Sequence, residues 1–188
     1  MEIGKVVVKS ALCLIPDEAL WEPIQAIRRL HDKQIHRWMP HINILYPFYQ
    51  ESAFESCMDR LKSSLAWKSG PIRLQFTAES FGFLKQGRKS ATLILQPTGP
   101  ALQALQSLHA SCQKLFPEAG DKRFPEFLPH LSLGQFGGQG AVDEAMRVFK
   151  EDWATNGVSL DWEVRSVQLI SRAGFEDPFA IRQSVPFA

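Results

Sequence analysis

Apolar positions follow two different periods along this chain, and each change of period marks a change of predicted element. Apolar or alternating runs rich in β-branched residues predict strands at residues 5–15, 42–46, 72–76, 80–84, 91–95, 159–170 and 179–185. Apolar residues at spacings of three and four predict helices at residues 17–36, 52–66, 101–116 and 142–154. Strands that alternate with helices and then with hairpins indicate an α+β architecture.

One short pattern, proline, histidine, hydrophobic, polar, hydrophobic, occurs twice, at residues 40–44 and at residues 129–133. Both copies are predicted to lie on strands, where successive side chains point to opposite faces. His41 therefore shares a face with Asn43, and His130 shares a face with Ser132. The aliphatic residues of each segment face the other way, toward a core.

The elements that follow the two histidines come in a similar order. By the predicted boundaries, a helix begins about 11 positions after His41 and about 12 after His130, and a strand begins about 31 and about 29 positions after them. We expect two similar lobes, in which antiparallel-rich sheets line a central groove and helices lie outside. The motif strands face each other across that groove, and residues 1–188 form a single bilobal domain.

The composition limits the binding partners and the cellular compartment that we expect for this chain. With 21 basic and 20 acidic residues, the chain lacks the positive charge that drives nonspecific binding to long nucleic acid, so we expect no DNA partner. A small nucleotide or an RNA end remains compatible with this charge. Three cysteines without a CxxC pair indicate neither a disulfide framework nor a zinc knuckle. No 18 consecutive residues are apolar, so we expect no membrane partner and a location in the cytoplasm or alternatively the nucleus. We also expect a monomer.

Two histidines that face one groove can supply an acid and a base. The unperturbed pKa of histidine is near 6.5, so at neutral pH one imidazole of the pair can be neutral and the other protonated. The first can deprotonate an attacking oxygen and the second can protonate the leaving oxygen of a phosphodiester, with no metal and no other cofactor. Asn43 and Ser132 can hydrogen-bond phosphate oxygens on the same face. The residues leave open which histidine is the base.

Each motif histidine could instead have only a structural role, packed in the core or at a strand edge, but the duplication favours a functional pair. The remaining histidines, His31, His36 and His109, lie on predicted helices without a matching partner and are interpreted as surface or core residues.

The two motifs resemble the paired HxΦ[S/T] motifs, Φ being hydrophobic, of the 2H phosphoesterase superfamily, which includes bacterial 2′-5′ RNA ligase-like proteins and 2′,3′-cyclic nucleotide phosphodiesterases. Residues 37–48, RWMPHINILYPF, are similar to a subgroup of RNA ligase/cyclic nucleotide phosphodiesterase-like proteins. The resemblance implies a 2H phosphoesterase-like fold of two lobes with pseudo-twofold symmetry. It also implies a metal-independent enzyme that acts on a 2′,3′-cyclic phosphate or a 2′-5′ phosphodiester. It also implies that His41 and His130 are the catalytic pair and that Ser132 is the phosphate-binding hydroxyl. Asn43 departs from the pattern because it offers an amide, which can still donate to phosphate.

Aromatic residues near the predicted groove are weaker candidates. Tyr46, Phe83, Phe136 and Phe175 could stack on a base, as aromatic side chains do with unpaired nucleotides, and the alternative for each is packing. Side-chain alternation along the strand places Tyr46 on the same face as Ile44 and not on the face of His41, which favours a packing role for Tyr46.

Basic residues gather at the two predicted hairpins. Lys85, Arg88 and Lys89 surround the first turn, and Arg172 lies at the matching place in the second. They could contact phosphate groups, although solvated loop charges are the commoner situation.

Two other functions fit part of this pattern. A nucleotide- or phosphate-binding module that keeps the groove without turnover is favoured by the amide at Asn43. A metallohydrolase that uses the histidines as ligands is disfavoured because neither motif has carboxylates beside it.

Overall fold

A computed structural model describes residues 4–64, 70–123 and 126–187. Its helices are α1 Trp21–His31, α2 Phe54–Ser63, α3 Gly99–Leu115 and α4 Gln139–Asn156. Its strands are β1 Val6–Val7, β2 Ser10–Leu14, β3 Ile42–Leu45, β4 Phe48–Tyr49, β5 Ile72–Phe76, β6 Phe81–Lys85, β7 Ala91–Leu95, β8 Leu131–Phe136, β9 Leu160–Val164, β10 Ser166–Ser171 and β11 Ala180–Pro186.

The strands form two main antiparallel sheets. One has the order β11-β10-β2-β3 and carries the first histidine motif at its β3 edge, and the other has the order β6-β7-β8 and carries the second motif at its β8 edge. Two smaller antiparallel pairs, β1 with β4 and β5 with β9, complete the strand pairing of the described residues. The α+β class and the antiparallel-rich sheets predicted from the sequence are confirmed.

The two halves of the chain exchange strands. Apart from β1, β4 and β11, the first half runs β2-α1-β3-α2-β5-β6 and the second runs β7-α3-β8-α4-β9-β10. Strand β6 of the first half pairs with β7 of the second, and β10 of the second half pairs with β2 of the first, while β5 pairs with β9. Each sheet is therefore built from both halves, which gives the pseudo-twofold arrangement of two lobes.

Helices join the lobes in the same symmetric way. α1, which follows β2, packs against β8, and α3, which follows β7, packs against β3. Gly134 of β8 allows the first of these approaches, because a Cβ at that position would lie 2.5 Å from the Cβ of His31. Each motif strand is thus held by its neighbouring strand and by the helix of the opposite half.

The core follows from the alternation of side chains along the strands. Leu12 and Leu14 of β2 are fully buried in the main core, together with Ile42 and Ile44 of β3. The intervening β2 residues, Ala11 and Cys13, belong to a second, smaller cluster on the opposite face of the sheet. That second face also carries Asn43, which lies opposite Cys13 in the β2–β3 register.

Several predicted elements have different limits in the structure. The strand predicted at residues 5–15 is divided into β1 and β2 by a turn, and the strand predicted at residues 159–170 is divided at Arg165 into β9 and β10. The helix predicted at residues 52–66 begins later, after a 3-10 turn, and ends at Ser63, and its predicted end lies partly outside the described residues. Helices α3 and α4 both start earlier than predicted.

The helix predicted at residues 17–36 is too long, because α1 ends at His31. Asp32 adopts an extended backbone, and its carboxylate accepts hydrogen bonds from the Gln34 backbone and from Arg28. These bonds stabilise a turn in place of another helical turn.

Candidate active site

His41 and His130 occupy equivalent positions, each between a buried proline and the first residue of its motif strand. Nδ1 of His41 lies 2.7 Å from the carbonyl oxygen of Met39, and Nδ1 of His130 lies 2.8 Å from that of Leu128. A carbonyl only accepts, so Nδ1 carries the hydrogen in both rings. Nε2 is therefore the atom through which either imidazole can exchange a proton.

The charge of His130 contributes to the pKa of His41, so the two motif histidines lie within electrostatic range of each other. Burial lowers the pKa of His41 to about 4, the Met39 carbonyl opposes this shift, and the charges of Arg28 and His130 add to it. Burial also lowers the pKa of His130, against the opposing effect of the Leu128 carbonyl. The sequence suggested one neutral and one protonated imidazole at neutral pH, but burial favours the neutral form of both in the free protein.

Asn43 and Ser132 stand in matching places but have different partners. The Asn43 amide nitrogen lies 3.1 Å from Nε2 of His41, so it donates to the lone pair of that ring, while its Oδ1 is buried without a hydrogen-bond partner. Ser132 is half-buried, and within the described part of the chain its hydroxyl bonds to no protein group. The hydrogen-bonding capacity of Asn43 is therefore turned toward His41, while that of Ser132 is open.

Trp38 stacks on the His41 ring, a contact that the sequence did not predict. The two ring centroids are 4.6 Å apart with an interplanar angle of 17°, and Phe179 stacks at 3.9 Å from the indole. The backbone carbonyl of Trp38 accepts a 2.7 Å hydrogen bond from Nη2 of Arg28. Trp38 therefore fixes the plane of the imidazole, and the only sequence signal for it was an aromatic residue three positions before the histidine.

A buried ion pair connects the two motif strands. Nε of Arg28 lies 2.7 Å from Oδ2 of Asp32, and both side chains are almost fully buried. Oδ1 of Asp32 accepts a 3.0 Å hydrogen bond from Gln135 of β8. The path from Trp38 through Arg28 and Asp32 to Gln135 fixes the His41 side of the site relative to the strand that follows His130.

The family to which this arrangement belongs is shown by comparison with protein-family models. The model of the 2′-5′ RNA ligase superfamily matches residues 16–176, a range that contains both histidine motifs. The chain belongs to the 2′-5′ RNA ligase superfamily. This confirms the resemblance to 2H phosphoesterases, and membership supports a phosphoesterase or RNA-end-processing role.

Solved structures of superfamily members have the same fold. E. coli LigT complexed with 3′-AMP is similar with a TM-score of 0.60 and 10% identity, over 96% of this chain and 98% of that one. TT0787 of Thermus thermophilus gives a TM-score of 0.59 and 13% identity, over 95% and 97%. Kluyveromyces marxianus Usb1 gives a TM-score of 0.55 and 13% identity, over 98% of this chain and 100% of that one. Comparison with curated proteins found no match.

The four aromatic candidates have different surroundings in this superfamily member. The Tyr46 hydroxyl donates to the Val8 carbonyl at 3.1 Å, and its ring meets the edge of Trp38. Phe83 is half-buried against the main core, and Phe136 packs on His31 at 4.8 Å. Phe175 differs from the other three because 61% of its surface is exposed.

The other predicted basic residues and histidines differ in burial. Lys85, Arg88 and Lys89 are exposed at the β6–β7 turn, whereas Arg172 is buried after β10. His36 is exposed, and His109 stacks on Phe127 at 4.0 Å.

A cavity of about 430 Å³ lies between β5, α3 and the C-terminal segment, and none of the candidate site residues lines it. In the described ranges, no three or more histidine, cysteine, aspartate or glutamate side chains are arranged to hold a metal ion. None of the described helices has the length and apolar character needed to cross a membrane.

Proposed function

We propose that this protein hydrolyses a 2′,3′-cyclic phosphate on a nucleotide or RNA end, with His41 and His130 as its acid and base. The observation that carries the proposal is the pair of imidazoles, each anchored through Nδ1 and within electrostatic range of the other. Two such rings can transfer protons on opposite sides of one phosphorus atom. Cleavage of a 2′-5′ phosphodiester uses the same proton transfers.

The hydrogen bond from Asn43 supports His41 as the base and His130 as the acid. Asn43 donates to Nε2 of His41 and so favours the neutral imidazole, which is the form a base requires. His41 accepts a proton from water as the water oxygen bonds to phosphorus. His130 gives its Nε2 proton to the ribose oxygen as the bond between that oxygen and phosphorus breaks. The anionic phosphate raises the pKa of His130 on binding, which increases the fraction of the protonated form that an acid requires.

Asn43 and Ser132 hold the phosphate in this proposal. When water takes the place of Asn43 at Nε2 of His41, the amide is released to donate to a phosphate oxygen. The Ser132 hydroxyl has no competing protein partner among the described residues, and it donates to another phosphate oxygen without rearrangement. No cofactor takes part.

Ligands of the structurally similar proteins support a nucleotide substrate. LigT has been crystallised with 3′-AMP, with phosphate and with ATP, and Usb1 with uridine monophosphate. The nucleotides among these ligands combine a phosphate with a nucleoside, which is the chemistry of the proposed substrate.

A binding module without turnover is the second candidate, and one observation favours it. Nε2 of His41 is already occupied by the Asn43 amide, so the base is blocked until that bond breaks. If a bound phosphate does not separate the two side chains, the groove holds its ligand unchanged.

One panel of ligands distinguishes the two functions. Each 2′,3′-cyclic nucleotide and a 2′-5′-linked dinucleotide is incubated with the protein, products are separated, and the thermal shift with each ligand is measured in parallel. We expect a nucleoside monophosphate from the cyclic substrates, at a rate that EDTA does not change. Stabilisation by a ligand that is never converted would support the binding module, and loss of turnover on chelation would support a metallohydrolase.

A further inference from the structure

Two guanidinium groups meet at one backbone carbonyl beside the proposed active site. Arg37 donates to the carbonyl oxygen of Phe175 at 3.1 Å, and Nη1 of Arg172 donates to the same oxygen. Arg37 lies between α1 and β3, while Arg172 follows β10, so the two cations come from segments distant in sequence. Lys9 adds a third positive charge, because its ammonium group donates to the neighbouring Ala173 carbonyl at 2.7 Å.

Arg172 is a buried cation without a carboxylate partner in the described ranges. Only 9% of its surface is exposed, and its Nε is buried without a hydrogen-bond acceptor. Its guanidinium lies 4.7 Å from the centroid of the Phe179 ring and 5.7 Å from that of Phe175. Burying an unpaired charge is costly, so this arrangement favours an anion that is supplied from outside the chain.

The acidic residues of the same loop leave room for such an anion. Asp177 accepts a 2.7 Å hydrogen bond from the Gly174 backbone and so holds the turn. Glu176 lies 3.5 Å from Nη1 of Arg37, but its side chain is 90% exposed. An exposed ion pair of this kind contributes little free energy, so a phosphate can displace Glu176 from Arg37.

A continuous stack of rings joins Arg172 to His41. The imidazole of His41, the indole of Trp38, the ring of Phe179 and the guanidinium of Arg172 follow one another at 4.6, 3.9 and 4.7 Å. Arg172 therefore lies within about 13 Å of His41, the limit these three distances set. Phe175 beside it exposes 61% of its surface, so its ring is accessible to a planar ligand.

We propose that Arg37, Arg172 and Phe175 form a second nucleotide subsite, in which the guanidinium groups bind a phosphodiester and Phe175 stacks on a base. This inference rests on the proposed function, and it specifies the substrate as an RNA chain that ends in the cyclic phosphate. Arginine is suited to phosphate, and base stacking on an aromatic ring tolerates any sequence.

The test compares three substrates that share one terminal 2′,3′-cyclic nucleotide: the mononucleotide with a free 5′ hydroxyl, the same mononucleotide with a 5′ phosphate, and a short single-stranded oligoribonucleotide. We expect the wild-type kcat/KM to be highest for the oligoribonucleotide. In Phe175→Ala and Arg37→Gln, the ratio of oligoribonucleotide to mononucleotide kcat/KM falls about tenfold, mainly through KM. Arg147→Gln removes an equal charge from α4, where Arg147 pairs with Glu144 and Glu151, and keeps the wild-type ratio.

Arg172→Lys is a third variant, whose melting temperature is measured first because the side chain is buried. Equal kcat/KM for all three wild-type substrates, with no effect of Phe175→Ala or Arg37→Gln, would overturn the subsite and leave the proposed function standing. A preference for the 5′-phosphorylated mononucleotide that equals that for the oligoribonucleotide would overturn the RNA assignment. If no substrate is converted, the proposed function fails. Fluorescence anisotropy of a labelled oligoribonucleotide with a 3′ phosphate then tests the subsite, and an affinity unchanged in Phe175→Ala and Arg37→Gln refutes it.

Discussion

Asn43 and Ser132 occupy equivalent positions on β3 and β8, yet only the Asn43 side chain bonds to its histidine. A hydroxyl can either donate or accept, but an amide nitrogen only donates. The Asn43 nitrogen can therefore bond to a neutral His41 and not to a protonated one. The two halves of the site are chemically unequal at the position where the two motifs differ in sequence.

Exchanging these side chains tests the role assignment. In Asn43→Ser we expect the pKa of His41 to rise from about 4, because the hydroxyl can accept from the imidazolium, while burial still holds it below the ordinary value of about 6.5. In Ser132→Asn we expect the pKa of His130 to fall further. Both values are measured by NMR titration of the imidazole protons. An unchanged His41 pKa in Asn43→Ser would contradict the assignment of His41 as the base.

The pH dependence follows from the direction of both shifts. Activity requires one protonated and one neutral imidazole, and both folded-state pKa values lie below the ordinary value, so the singly protonated fraction is largest below about pH 6.5. We expect kcat/KM for a 2′,3′-cyclic mononucleotide to peak there and to fall as the pH rises. The pH profile of kcat reports on the enzyme–substrate complex, in which the bound phosphate raises the pKa of His130. The alkaline limb of that profile therefore moves to higher pH. A kcat/KM that still rises above about pH 7 would contradict the lowered pKa values.

The residues of the candidate site were not equally visible in the sequence. His41, Asn43, His130 and Ser132 came from a repeated local pattern, which needs no knowledge of the fold. Arg28 and Asp32 have the i,i+4 spacing of a helical ion pair, but their contacts with Trp38 and Gln135 depend on how distant segments pack, which the sequence does not show. The approach of Arg172 to Arg37 depends on the same tertiary packing, so from the sequence Arg172 was visible only as a hairpin charge that could contact phosphate.

At the level of elements, the position of β8 depends on its contact with α1. The backbone of Gly134 is buried against His31, the last residue of α1. The same strand carries Ser132 and Gln135, so a shift of β8 would move the second motif relative to Trp38 and Arg28. The absence of a side chain at Gly134 is therefore a packing requirement of the site.

Gly134→Ala should destabilise the protein by about 1–3 kcal/mol, because its new Cβ meets the His31 Cβ at 2.5 Å and the His31 backbone at 3.0 Å. Urea unfolding measures the loss. Gly140→Ala on α4 is the matched control, since nothing lies within 4 Å of the added atom and alanine favours the helix. Equal stability of the two variants would show that β8 is not closely packed on α1.

Element types were predictable from periodicity, but element ends were not. The two periods placed all four helices and the main strands of the described residues, since side-chain alternation records which face is buried. The end of α1 depends on Asp32 bonding to Arg28 and Gln135, a contact with a distant strand. Pairing of β6 with β7 is a local hairpin that the sequence predicted. Pairing of β10 with β2 and of β5 with β9 joins distant segments, so a repeat was visible in the sequence while these pairings across the halves were not.

At the level of the whole molecule, strand exchange makes the two lobes interdependent. Neither main sheet is formed by one half alone, and β5 pairs with β9 across the halves. We expect one cooperative unfolding transition in urea, with tryptophan fluorescence, which reports on Trp38 in one half and Trp153 and Trp162 in the other, coinciding with far-UV circular dichroism. Two separate transitions would contradict this interdependence.

Product formation by histidine variants tests the central claim most directly. With a 2′,3′-cyclic mononucleotide, we expect His41→Ala and His130→Ala each to lower kcat by about 10²–10⁴, and the double variant to lose little more, because the two groups act as a unit. The exposed residue His36 provides the control variant His36→Ala, which keeps wild-type activity, and circular dichroism verifies that every variant is folded. Full activity in either motif variant would contradict the paired-histidine mechanism.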